Sequence, residues 1–150
     1  MNFHIASLKY ALDLIQSKKF DSLISIGHPN GSEYPTVGNK PAGLSKTLRI
    51  GLWDIVPHRN PRNRELATGN QIIEIIRFAR DLPEKTNLLI HCKRGRSRSP
   101  AVALIVLAAR GIYEKEAVRQ LLEDCPKANP NGWILKVADA VLDTRLFILH

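Results

Sequence analysis

The stretch NLLIHCKRGRSRSPAVALIVLAA, residues 87–109, decides the fold. Its middle, HCKRGRSRSP (91–100), alternates Arg with Ser, as a solvated tract that grips nucleic acid does. A tract of that kind has polar, low-complexity neighbours. Here the neighbours are apolar. NLLI reads as a strand buried on both faces. AVALIVLAA is apolar nearly all round and reads as a buried helix, expected over 100–110 with Gly111 as its C-terminal cap. The basic segment is therefore a short loop held at both ends, and the nucleic-acid tract becomes the minor reading.

Such a loop has a chemistry. A helix N-terminus offers unpaired amides and the positive end of the helix dipole, which together attract anions. Gly95 allows the backbone conformation that turns successive amides inward. Cys92 opens the loop and Arg98 closes it, and surroundings of this kind favour a thiolate over a thiol. Arg98 can hold two phosphate oxygens at once, which Lys does less well. A buried core cysteine is the bland alternative for Cys92, and the Gly-Arg-Ser context argues against it.

Working outward, Ile5, Leu8, Leu12 and Ile15 recur at helical spacing and predict an amphipathic first helix. Residues 20–26 (FDSLISI) predict a strand ended by Gly27. Residues 30–47 hold several Gly and Pro and read as a long loop with a short hairpin. A second strand is expected over 48–53, running into the irregular basic loop DIVPHRNPRNR. Thr68 is the expected N-cap of a helix faced by Ile72, Ile75, Ile76 and Ala79 and stopped by Pro83. After the strand at 87–91 and the helix at 100–110, further helices are expected over 114–123 and 133–143, separated by CPKANPN. This alternation predicts a single α/β domain over residues 1–150, a mainly parallel central sheet flanked by helices. In such sheets ligands sit beyond the C-terminal strand ends. The loops starting at Asp54 and Cys92 leave from those ends.

The chain has 150 residues, with 22 Lys and Arg against 14 Asp and Glu, a formal net charge of +8. That excess favours anionic partners: phosphorylated substrates, nucleic acid or an acidic membrane surface. Two cysteines, Cys92 and Cys125, are too few for a disulfide framework, so reduced thiols and a cytoplasmic location are expected. The N-terminus lacks the pattern of a secretion signal, and the run 101–109 is too short to span a bilayer. No His, Cys and Asp group has metal-ligand spacing, and no metal or other cofactor is expected. Cys125 reads as a helix-end cysteine without a partner. His4, His28, His58 and His150 are expected to face solvent, and Trp53 and Trp133 to lie in the core or at its edge rather than act as stacking platforms. Arg59, Arg62 and Arg64 form a charge cluster that Asp54, their neighbour, draws toward a substrate-facing role.

Residues 91–99, His91-Cys92-Lys93-Arg94-Gly95-Arg96-Ser97-Arg98-Ser99, resemble the signature loop of the cysteine-dependent protein tyrosine phosphatases: His-Cys, two residues, Gly, two residues, Arg, then Ser or Thr. The likeness runs from about Leu48 to Asp143. It includes Asp54 and the stretch 125–131, similar to that of compact dual-specificity phosphatases. The first 47 residues carry no matching motif.

The resemblance implies a protein tyrosine phosphatase-like fold and phosphomonoester hydrolysis through a phosphocysteine. It implies Cys92 as nucleophile, and the amides from Lys93 to Arg98, with the Arg98 fork, as the cradle for the phosphoryl oxygens. Lys93, Arg94, Gly95, Arg96 and Ser97 then bind substrate beside Arg98. Ser99 donates to the Cys92 sulfur, and His91 supports the cysteine backbone. Asp54 is the chosen general acid, with Asp81 and Glu65 as weaker rivals. A phosphorylated protein is the expected substrate. The basic Lys93, Arg94 and Arg96 keep a polyanionic one, an anionic phosphoinositide lipid or an RNA 5′ end, as an alternative. A phospho-binding module with little turnover is the other alternative, and no stable nucleic-acid complex is expected.

Overall fold

The computed structural model describes residues 1–149; His150, expected to face solvent, lies outside them. Four strands form one parallel sheet: β1 (Asn2–Ser7), β2 (Ser22–Gly27), β5 (Lys46–Gly51) and β6 (Asn87–Cys92), in the order β1-β6-β2-β5. Strands β3 (Thr36–Val37) and β4 (Lys40–Pro41) make the small antiparallel hairpin anticipated within 30–47. The helices are α1 (Leu8–Gln16), α2 (Gly69–Asp81), α3 (Arg98–Ala109), α4 (Glu114–Asp124), α5 (Gly132–Leu142) and α6 (Leu146–Leu149).

Strand residues alternate between two apolar layers. Ile24, Ile26, Leu88 and Ile90 face the large core shared with α2 to α6. Leu23 and Leu89 face a smaller one closed by Ile15 of α1 and by Ala42. The central strands are thus covered on both sides, which is why 87–90 reads as an unbroken apolar run. Helix α3 packs directly on the sheet and is buried along nearly its whole length. Helix α2 opens on the predicted cap: Thr68 and Gln71 form a reciprocal capping box, a motif whose cap residue is worth about 1 kcal/mol.

The first helix needs correction. Ile5 belongs to β1, paired residue for residue with β6, and α1 starts only at Leu8. The spacing of Leu8, Leu12 and Ile15 is genuinely helical; Ile5 matches that period by coincidence, and backbone pairing with β6 claims it. Strand β5 lies two residues earlier than expected, because its register against β2 runs from Ser22↔Lys46 to Gly27↔Gly51. Helix α6 has only four residues, too few to show a period.

Parallel pairing puts the ends of β2, β5 and β6 on one edge of the sheet. The loops at residues 28–35, 52–68 and 93–97 all leave from that edge.

Candidate active site

The loop between β6 and α3 is fastened from outside through its carbonyls. Those of Lys93, Arg96 and Ser97 accept from the amides of Leu8 (3.1 Å), Asn129 (2.7 Å) and Asn131 (3.1 Å), and that of Gly95 from the Cys125 thiol (3.5 Å). With the carbonyls turned outward, the amides turn in. Gly95 N–H donates to Cys92 Sγ at 3.3 Å, while among the described residues the amides of Arg94, Arg96, Ser97 and Arg98 donate to no protein group. Gly95 has φ +71°, and a Cβ there would lie 3.0 Å from the Ala6 carbonyl. Both its conformation and its close approach to β1 require glycine.

Cys92 sits at the floor, 2% exposed, with Ser99 Oγ 3.0 Å from its sulfur. Behind it His91 is fully buried, Nδ1 3.3 Å from the Cys92 carbonyl and Nε2 2.5 Å from Ser25 Oγ. A carbonyl only accepts, so Nδ1 carries the proton and Nε2 accepts from the serine hydroxyl. Burial, the main cause, lowers the His91 pKa to about 4, so the ring is neutral at physiological pH.

Arg98, 4% exposed, reaches across the sheet edge. Its Nη1 donates to the Leu52 carbonyl at 2.9 Å and its Nη2 to Glu33 Oε2 at 3.1 Å, while Nε is buried without a partner among the described residues. Glu33, held at φ +71°, also meets His28 Nε2 at 3.0 Å. Desolvation lowers the His28 pKa, opposed by the Glu33 charge and helped by Arg98, Arg64 and Lys93.

Asp54 stands exposed at the rim. Its Oδ1 accepts from Ser97 Oγ (2.6 Å) and Asn131 Nδ2 (3.0 Å). Ser97 occupies the N-cap position of α3 but spends its hydroxyl on Asp54 instead of the helix. Asn131 is 5% exposed; its Oδ1 caps α5 at Ile134 N (3.0 Å) while its Nδ2 also donates to the Ile55 carbonyl (3.0 Å).

These groups line one cavity of about 590 Å³ that holds Cys92, Lys93, Arg94, Arg96, Ser97, Arg98, Asp54 and Glu33. The structure therefore brings together Cys92, Arg98, Asp54 and the loop cations, with Ser99 and His91 behind the sulfur. Asp81 and Glu65 line no part of it. Lys93, Arg94 and Arg96 are exposed and form no salt bridge among the described residues.

Glu33, His28 and Asn131 escape the sequence reading. Glu33 lies 65 residues from Arg98 in a loop with no motif, and only the strand order shows that the two loops meet. Asn131 is visible in CPKANPN, but its bond to Asp54 is not. Four expectations need correction. His28 is partly buried against Glu33 rather than solvent-facing. His4 is half-exposed and meets Asp124 Oδ1 at 2.9 Å. Trp53 is a stacking platform after all: the Arg64 guanidinium lies 3.6 Å from its ring centre and the His28 ring 4.4 Å away. Its flanking by polar groups keeps it out of the core. Trp133 does pack at the core edge, its Nε1 bonded to the Ala67 carbonyl at 2.9 Å. Cys125 is not without a partner, since it contacts Gly95, and burial, its main influence, pushes its thiol pKa up.

No protein-family model matches the sequence, and no curated protein matches it. Solved structures do match in fold. Human DUSP28 superposes with a TM-score of 0.65 at 16% identity, over 94% of this chain and 88% of that one. Tk-PTP in its active form gives 0.63 at 18% identity, over 94% and 90%. PTPMT1 in complex with PI(5)P gives 0.63 at 16% identity, over 95% and 90%. With its four-stranded parallel sheet and the short loop between β6 and α3, the chain has the fold of the compact dual-specificity and tyrosine phosphatases.

Proposed function

We propose that this protein hydrolyses phosphomonoesters with Cys92 as nucleophile, acting as a protein tyrosine or dual-specificity phosphatase. One observation carries the reading. The sulfur of Cys92 lies under a ring of inward amides, with a buried arginine and a carboxylate on the walls of the same cavity. The substrate phosphorus sits above Sγ, its oxygens held by the loop amides and by Arg98 through the otherwise unpartnered Nε. A P–S bond forms as the ester P–O bond breaks, and Asp54 gives its proton to the departing oxygen. Water then attacks phosphorus, Asp54 takes a proton from it, and Sγ leaves as thiolate, stabilised by the Ser99 hydroxyl. The amides meet negative charge where it develops, without reorganising. His91, neutral and buried, orients the Cys92 carbonyl and moves no proton. The residues supply every group this route uses. Two free thiols fit a reducing, cytoplasmic setting.

The test is hydrolysis of a small aryl phosphate in the presence of a chelator, with vanadate as inhibitor. Activity is expected in wild type and absent in Cys92→Ser. Activity that persists in Cys92→Ser overturns the assignment, and a wild type that binds phosphopeptides without turnover establishes the binding-module reading instead. A second reading, a polyanionic substrate such as a phosphoinositide or an RNA 5′ end, is favoured by the exposed Lys93, Arg94 and Arg96 that line the cavity and form no salt bridge among the described residues. A panel with those substrates beside phosphotyrosine peptides separates the two.

A further inference from the structure

The loop that follows β2 opens on a tight turn, with the His28 amide donating to the Ser32 carbonyl at 2.9 Å. It carries two side chains toward the site. Glu33 lines the cavity over Cys92, His28 and Trp53 line the cavity next to it, and Asp54 borders both. Glu33 holds a left-handed φ of +71°, a conformation that is costly for a residue with a Cβ and persists where surrounding contacts impose it. Its Oε2 accepts from Arg98 Nη2 at 3.1 Å and from His28 Nε2 at 3.0 Å. A carboxylate only accepts, so Nε2 of His28 carries a proton. The His28 ring lies 4.4 Å from the Trp53 ring, a close aromatic packing. Trp53 stands between Leu52 and Asp54 in the chain, and the Leu52 carbonyl accepts from Arg98 Nη1 at 2.9 Å.

These contacts close a circuit: Arg98 to Glu33, Glu33 to His28, His28 to Trp53, and Trp53 through Leu52 back to Arg98. Bonds at Nη1 and Nη2 fix the plane of the guanidinium and leave Nε as its uncommitted donor among the described residues. Trp53 also receives the Arg64 guanidinium, 3.6 Å from its ring centre, but Arg64 belongs to the same loop; His28 ties that loop to a different strand end. We propose that His28 is a positioning residue for both halves of the site: through Glu33 it sets the Arg98 fork, and through Trp53 it sets the segment that carries Asp54. The inference rests on the phosphatase reading, in which Arg98 holds the phosphoryl oxygens and Asp54 moves the proton. The role asks one side chain for an N–H donor and a flat ring together. Gln supplies the donor alone and Phe the ring alone.

The experiment compares His28→Gln with His28→Phe. Two readouts are taken on each: the inhibition constant of vanadate, which reports Arg98, and the ratio of kcat for an aryl phosphate with a good leaving group to kcat for one with a poor leaving group, which reports Asp54. His28→Phe is expected to weaken vanadate on the order of tenfold, the weight of a charge-assisted contact, and to keep a ratio near that of wild type. His28→Gln is expected to hold vanadate nearly as wild type does and to raise the ratio on the order of tenfold, a part of what a general acid contributes. A side chain that only stabilises the fold would move neither readout, or would move both alike in the two variants. Either result, or the reverse pattern, overturns the proposal. If wild type hydrolyses no aryl phosphate, the phosphatase reading fails by itself. The positioning role is then read from vanadate binding by calorimetry, where His28→Phe must weaken the ion more than His28→Gln does or that role falls too.

Discussion

The loop after β6 and the loop after β5 supply the two halves of the site in opposite ways. Residues 93–97 are short and end in buried elements, and their shape is set by backbone bonds to Leu8, Asn129 and Asn131 and by one left-handed glycine. Residues 52–68 are long and irregular, and their carboxylate at Asp54 is exposed and held by side chains from elsewhere, Ser97 and Asn131. A cradle made of main chain tolerates changes of its side chains and fails when its backbone geometry is forced. A carboxylate held by two side chains can be loosened by one substitution at a distance. The proposed nucleophile and general acid therefore have different vulnerabilities.

Gly95→Ala forces the first loop. The left-handed conformation costs a residue with Cβ roughly 1–2 kcal/mol, and the methyl would press on the Ala6 backbone at 3.0 Å. Misaligned amides are expected to lower kcat by about a hundredfold or more, measured with an aryl phosphate alongside a circular dichroism spectrum that stays native. An unchanged rate breaks the contrast at its stronger end.

Asn131→Ala loosens the second loop. It removes the α5 cap, costing about 1 kcal/mol of stability, and the amide that holds Asp54. A tenfold order of rate loss is expected for substrates with poor leaving groups, which need the acid, and less for good ones. Asn131→Ser keeps a cap acceptor and lacks the amide that reaches Asp54, so its melting temperature recovers while its rate does not. Recovery of both shows that Asp54 needs no such support.

The third effect is on stability rather than on rate. His91 has a native pKa of about 4, below the ordinary value of 6.5, so the unfolded chain binds the proton first. The native state therefore loses stability as pH falls from about 6.5 toward 4, by up to about 3 kcal/mol, and gains none above that window. Urea titrations of wild type at pH 7.5 and 5 measure this, and equal midpoints contradict the buried, neutral ring.

The same contrast explains what was legible in the sequence. The β6–loop–α3 unit is contiguous, and its buried flanks, glycine and cysteine-to-arginine spacing appear within a single stretch. The N-cap at Thr68 is local too. Partners far apart in the chain were hidden: Glu33 with Arg98, Asn131 with Asp54, His28 on Trp53. Strand β1 was hidden because pairing, not periodicity, makes Asn2–Ser7 extended. The charge cluster at Arg59, Arg62 and Arg64 was visible as composition, but its division between a stacked arginine and two open ones is a property of the folded loop.

In the proposed reaction the Cys92 sulfur takes the phosphoryl group. The most direct measurement is acid-quenched mass spectrometry of Ser99→Ala during turnover of an aryl phosphate, because losing the hydroxyl beside the sulfur slows thiolate departure and lets the intermediate accumulate. A phosphoryl adduct is expected on the peptide containing Cys92, formed in step with a burst of released phenol and lost as substrate runs out. Continued turnover with no adduct on that peptide, or an adduct on another residue, contradicts it.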